Sequence, residues 1–277
     1  MTPNQETDAR MTVALIRDVY WQDDGEERLR SHLQQARAGG ASIAVLPELP
    51  LNPWSAATST SRDDDAEAPN GPRWTLQGRL AAEVGIAVVG GAIVVGDDGL
   101  RRNTALVFSA NGTLLGTWEK AHLPNEPGFR EVDHYVPGRD VPTPIEGLGC
   151  PLGVQICSDV NRPEGTHLLA AQGAELVVAP RATELATWHR WKPVLIANAL
   201  TSCCWVATVN RPEPEADVLI GGPSFAVGPD GSVLLESTDT IGLFTFDRSE
   251  LPRRRIEYPG YLDIRADLYR EGWARLP

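Results

Sequence analysis

Strand-length apolar runs recur along this chain, parted first by helical segments and then by tight turns, and this order constrains the fold more than any other feature. Met11 to Arg17 reads as the first strand. An amphipathic helix follows from Glu26 to Ala38, with Leu29, Leu33 and Ala36 on one side and Gly39–Gly40 as its stop. Ser42 to Leu46 predicts a second buried strand, and the polar, acidic stretch from Asn52 to Gly71 a surface loop. Pro72 opens a helix that ends near Val84–Gly85. Ile86 to Val95, Thr104 to Phe108 and Thr113 to Trp118 read as strands, with turns at Asp97-Asp98-Gly99 and Asn111-Gly112. Glu119 to Gly149 is a long connection rich in Pro, Gly and charge, and connections of that length usually carry function. Beyond it, Leu152 to Ile156, Leu176 to Ala179 and Trp205 to Val209 read as strands around helices at Pro163 to Gln172 and Trp188 to Thr201. Ser224 to Val227, Val233 to Glu236 and Ile241 to Phe246 complete the set. The same mixture thus occurs twice. It predicts an α/β fold, an α-β-β-α sandwich of two mixed β-sheets flanked by helices. No linker divides the chain, so one domain over 1–277 is expected, with a flexible polar start at about 1–10.

Composition narrows the function. The 277 residues are 42% hydrophobic and 22% charged, which excludes long disorder and collagen-like or coiled-coil forms. A formal net charge of −12 disfavours nucleic acid and anionic membrane surfaces as partners. The basic run Arg253 to Arg255 is flanked by acids and reads as a solvated surface turn. No apolar run approaches the roughly 20 residues that span a bilayer, and the start lacks an apolar signal core. A cytoplasmic protein is expected. Its four cysteines, at 150, 157, 203 and 204, then read as free thiols.

The chemistry lies at strand ends. G-x-S-x-G, H-E-x-x-H and G-x-x-x-x-G-K-[ST] are all missing, and the histidines at 32, 122, 134, 167 and 189 show no metal-ligand spacing, so neither a metal nor another cofactor is expected. The apolar run Leu152 to Ile156 stops at Cys157, just before a Pro-initiated helix. Backbone N–H groups and a helix N-terminus there would favour an exposed thiolate; the alternative is a core cysteine, which is also how Cys150, Cys203 and Cys204 read. Glu48 follows Val45-Leu46-Pro47, and Lys120, one of only two lysines, ends Gly116 to Glu119. Three strands therefore deliver Glu, Cys and Lys to one rim, where open α/β sheets place their sites.

These residues resemble those of the nitrilase superfamily of carbon–nitrogen hydrolases, which carry a Glu-Lys-Cys triad in this order. The matching segments are Leu46-Pro47-Glu48, Glu119 to Pro124 and Gly153 to Asp159. Asn103-Thr104-Ala105, Arg162-Pro163-Glu164, Asn198-Ala199, Asn210-Arg211, Gly222-Pro223-Ser224 and Pro229-Asp230-Gly231 match as well. The resemblance implies Glu48 as general base, Cys157 as nucleophile and Lys120 as the cation facing the tetrahedral intermediate, with the backbone N–H of Ser158 beside it. It implies Glu131 as a second glutamate that positions substrate or Lys120. Cys157-Ser158-Asp159 fits the amidase and carbamoylase branch, where true nitrilases carry Cys-Trp-Glu. Arg162 stands where relatives often have an aromatic; it either meets a substrate carboxylate or braces the loop against Asp159 or Glu164. The expected partner is a small amide or carbamoyl compound. The activities that follow are cofactor-independent hydrolysis of a linear amide, or N-carbamoyl amine or amino-acid hydrolysis. A catalytically silent binding protein is the reading from another class. Relatives pair through helices flanking the nucleophile, which implies a homodimer or higher homo-oligomer through Pro163 to Gln172 and Trp188 to Thr201.

Overall fold

Side chains alternate across a strand, and in the computed structural model, which describes residues 9–276, both faces of the central strands are covered. The first half comprises β1 (Arg10–Ile16), α1 (Gly25–Ala38), β2 (Ile43–Val45), β3 (Ala66–Glu67), α2 (Pro72–Val84), β4 (Ala87–Val95), β5 (Arg101–Phe108) and β6 (Leu114–Glu119). The second half comprises β7 (Leu152–Val154), α3 (Pro163–Ala171), β8 (Leu176–Arg181), α4 (Trp188–Ser202), β9 (Trp205–Asn210), β10 (Ser224–Val227), β11 (Val233–Ser237), β12 (Ile241–Asp247), α5 (Leu251–Ile256) and α6 (Ala266–Trp273).

One sheet has the order β12-β1-β2-β4-β5-β6, with β3 beside β4; the other runs β11-β10-β9-β8-β7. Val13 and Leu15 of β1 join Leu176 and Val178 of β8 in the core between the sheets. Their neighbours Ala14 and Ile16 pack with Leu29, Leu33 and Leu80 of α1 and α2. Val177 and Ala179 pack with Leu169, Leu195 and Ala199 of α3 and α4. The result is the expected α-β-β-α sandwich of two mixed sheets.

The pairing explains why chemistry collects at one rim. β1, β2 and β4 are parallel, as are β7, β8 and β9, with helices as the crossovers. β5 runs against β4 and β6 against β5, so β6 points the same way as β2. Glu48 and Lys120 therefore leave their strands at the same end of one sheet.

Three expectations change. The stretch 52–71 is not a plain surface loop: Asn52, Trp54, Asp65 and Glu67 are buried, and Ala66–Glu67 forms β3. Arg253 to Arg255 lie in α5 rather than a turn, with Arg254 paired to Asp230 at 2.7 Å and Arg255 donating to the Ala174 carbonyl. Of the start expected to be flexible, residues 1–8 lie outside the described residues, and Arg10 opens β1 opposite Asp247. The last strand, β12, returns to pair antiparallel with β1 at the edge of the first sheet. Among the described residues no helix is long and apolar enough to cross a membrane.

Candidate active site

Glu48, Lys120, Glu131 and Cys157 come together in the interior, each no more than 3% exposed. The Lys120 backbone N–H donates to Asn103 on β5 (2.9 Å), which carries the chain inward as β6 ends. Its Nζ donates to Glu48 Oε1 at 2.7 Å and to Glu131 Oε1 at 2.6 Å. Asn103 Nδ2 also donates to Glu48 Oε1, at 2.8 Å. The second oxygens, Glu48 Oε2 and Glu131 Oε2, are buried with no hydrogen-bond partner. Cys157 has φ 48°, in the left-handed region that residues with a Cβ seldom adopt; such strain concentrates where surrounding structure enforces an orientation. Its thiol points at the Ala182 carbonyl, 3.7 Å away.

Burial decides the charge states. It pushes the Cys157 thiol well above the ordinary range, the Glu48 carboxylate adds to this, and Lys120 opposes it. Cys157 is thus a buried neutral thiol, not the exposed thiolate expected from the strand-end position. Burial lowers the Lys120 pKa, but the adjacent Glu131 and Glu48 outweigh it and hold the group firmly as an ammonium. Burial raises Glu131 to about 7, against the pull of Lys120 and with help from Glu48. The neutral Cys157 thiol thus shares this interior with Glu48, which keeps one oxygen without a hydrogen-bond partner.

Asp159 fastens the Cys157 turn to the end of β6 and the segment after Lys120. Its Oδ1 accepts from the His122 N–H and Nδ1 (2.9 Å each) and from the Ala121 N–H (3.2 Å). Its Oδ2 accepts from Trp118 Nε1 at 2.9 Å and from the Ile156 N–H at 3.0 Å. Ser158 Oγ donates to the His122 carbonyl. Asp159 and the Ser158 side chain thus brace the site. The expected side-chain brace from Arg162 to Asp159 or Glu164 does not form. The Arg162 side chain is exposed, and among the described residues it forms no ion pair with Asp159 or Glu164. Instead its backbone N–H donates to the Asp159 carbonyl at 3.0 Å ahead of α3.

Other residues around the site were not singled out as functional from the sequence. Leu49, Trp54, Phe129, Tyr135, Ala182, Val218 and Ile220 form an apolar cluster on the site side of the rim. Arg211 is buried against the turn that carries Glu48. Arg181 is buried beside Trp188, and burial lowers it to about 9. Asn103 and Arg211 lay inside matching segments, which was the one available signal; the cluster residues are scattered along the chain and had none. Among the described residues no group of three His, Cys, Asp or Glu side chains could hold a metal ion.

The carbon–nitrogen hydrolase family model matches residues 16–250. The omega-amidase NIT2-A of Xenopus laevis is 31% identical over 255 residues, covering 89% of this chain and 91% of its own length. Omega-amidase NIT2 of Homo sapiens is 29% identical over 272 residues, covering 95% and 97%. A mutant of the Nesterenkonia amidase from the nitrilase superfamily superposes with a TM-score of 0.75 at 25% identity, over 95% of this chain and 97% of its own. A carbon–nitrogen hydrolase structure from Helicobacter pylori reaches 0.89 at 23% identity, over 97% and 100%, a likeness of fold.

Proposed function

Because this chain belongs to the carbon–nitrogen hydrolase family, we propose that it hydrolyses a small linear amide through a thioester on Cys157, releasing ammonia or an amine. The observation that carries the reading is the buried contact of Lys120 Nζ with both Glu48 and Glu131, beside a neutral thiol. Glu48 Oε1 is committed to Lys120 and Asn103, which leaves Oε2 for the thiol proton. As that proton moves to Glu48, sulfur attacks the amide carbon and the carbonyl oxygen takes up negative charge. The Lys120 ammonium and the Ser158 backbone N–H stabilise this oxyanion at a buried position, where such charges act more strongly than in water. Collapse breaks the carbon–nitrogen bond, and the leaving nitrogen takes the proton from Glu48. Glu48 then removes a proton from water, whose oxygen attacks the thioester; the acid departs and Cys157 recovers its proton. Glu131 holds Lys120 in place throughout.

The omega-amidases among the relatives support the amide reading over the N-carbamoyl one. Ammonia release over a panel of terminal amides and carbamoyl compounds tests the reading. Cys157→Ala should abolish turnover, whereas Cys150→Ala, Cys203→Ala and Cys204→Ala should largely keep it. Lys120→Arg should fail nearly as badly as Lys120→Ala, since a planar guanidinium cannot place a compact charge against the oxyanion. Turnover that survives Cys157→Ala would defeat the proposal.

Self-association through α3 and α4 belongs to the same reading. Pro193, Ile196, Ala197 and Leu200 of α4, with His189 and Lys192, line a surface hollow of about 490 Å³.

A further inference from the structure

The steps above use the Glu48 side chain and say nothing of what aims it. Arg211, one residue past β9, is fully buried, and all five of its N–H groups find acceptors. Nη1 donates to the carbonyls of Glu48 (2.9 Å) and Leu49 (2.8 Å). Nη2 donates to the Asn52 carbonyl (2.8 Å) and to Glu215 Oε2 (2.7 Å), and Nε to Glu215 Oε1 (2.7 Å). The carbonyls of Glu48 and Leu49 share one nitrogen in a turn where Leu49 has φ 48°, a conformation a leucine keeps only when its surroundings hold it. Glu215 Oε2 also accepts the Trp54 N–H at 3.2 Å, and the guanidinium carbon lies 5.7 Å from the centre of the Trp54 ring.

A buried ion pair that only filled space would not need three carbonyls of one short turn. Lys120 and Asn103 fix the far end of Glu48 through Oε1; Arg211 fixes the backbone from which that side chain springs. Two anchored ends define where Oε2 points. We propose that Arg211, held by Glu215, is a positioning residue for the base: it sets Glu48 so that Oε2 meets the Cys157 thiol. The inference rests on the reading of Glu48 and Cys157 given above. A lysine could not replace the fork, because an ammonium offers three donors from one point.

The test needs no substrate. Iodoacetamide alkylation of Cys157 is followed at pH 7 by peptide mapping in the wild type, Glu48→Gln, Arg211→Lys, Glu215→Gln, and each of the last two combined with Glu48→Gln. Urea midpoints are recorded beside the rates. Glu48→Gln and Arg211→Lys should each slow alkylation on the order of tenfold to a hundredfold, the scale on which small misplacements act. Glu215→Gln, which keeps the shape and removes the counter-charge, should slow it more than about threefold. Neither change should slow the reaction further once Glu48 is Gln, because a residue that acts through another adds nothing when that other is gone. If Arg211→Lys does not fold, Glu215→Gln decides. Wild-type rates in Arg211→Lys and Glu215→Gln, or full additivity with Glu48→Gln, would overturn the positioning role alone. Equal rates in the wild type and Glu48→Gln would overturn it together with the assignment of the base.

Discussion

Glu131 shows how one buried side chain links the charge state of the site to stability. Burial raises it to about 7 from an ordinary 4.5, so it binds its proton more tightly in the folded chain than in the unfolded one. The stability it contributes is therefore complete below about pH 4.5 and is lost as the pH climbs through 7. Glu131→Gln stays neutral at every pH. Relative to wild type, the variant should remove a fall in unfolding free energy on the order of 2–3 kcal/mol between those limits. Urea unfolding of both proteins at pH 4.5, 6 and 8 measures this. Parallel pH profiles in the two would show that Glu131 does not titrate in this window. The same substitution frees Lys120 from one of its two carboxylates, so the rate should lose whatever dependence on pH near 7 the wild type has.

At the scale of elements, α2 is locked onto the first sheet by two side chains rather than by apolar packing alone. Glu67 on β3 accepts from the Arg73 N–H (3.0 Å) and the Trp74 N–H (2.7 Å), which satisfies orphan donors in the first turn of α2. Gln77, fully buried, accepts from the Gly91 N–H at 2.9 Å and donates to the Gly91 carbonyl at 3.2 Å. Gly90 is small for this reason: an added Cβ would lie 1.8 Å from Gln77 Oε1. Gly90→Ala should cost about 2–4 kcal/mol, since it both overpacks the contact and strands buried amide groups. Gly272→Ala in α6, where a Cβ meets nothing within 4 Å, should be neutral or slightly stabilising. Comparable urea midpoints for the two variants would contradict this account of the α2–β4 seam.

For the whole molecule, the question is what covers the apolar surface left outside. Part of the aromatic excess in α4 is spent inside: Trp188 and Trp191 pack against the core beneath the helix, and Leu195 is buried in it. Ile196, Ala197 and Leu200 remain around the hollow. Ile256, Tyr258, Tyr261, Ile264, Leu268, Tyr269 and Trp273 are exposed beyond the sandwich. Exposed apolar surface on that scale marks an interaction site. Light scattering should give at least twice the 30.0 kDa chain mass. Ala197→Arg, at an exposed position, should lower that mass and leave the fold intact. A monomer at every concentration would remove the self-association proposal.

The sequence by itself determined the layers and the order of the chemistry. Period-two apolar runs and helix stops are local signals, and three strands ending at Glu48, Lys120 and Cys157 sufficed to place those residues at one rim. The α-β-β-α arrangement followed from the same signals repeated in the second half. What only the tertiary structure decided depends on contacts between distant residues. Cys157, just past β7 of the second sheet, is a buried thiol because the first sheet packs over it in the core between the sheets, which no property of Leu152 to Asp159 reveals. Asp159 became a brace because Trp118, Ala121 and His122, some forty residues earlier, supply its donors. Arg162, marked by its place near Cys157, stays at the surface, while Arg211, 163 residues from Glu48, reaches the Glu48 backbone. Local periodicity fixes which face a side chain takes; which distant partner meets it there depends on how the sheets and their loops pack, and that is where this site acquires its charge states and its aim.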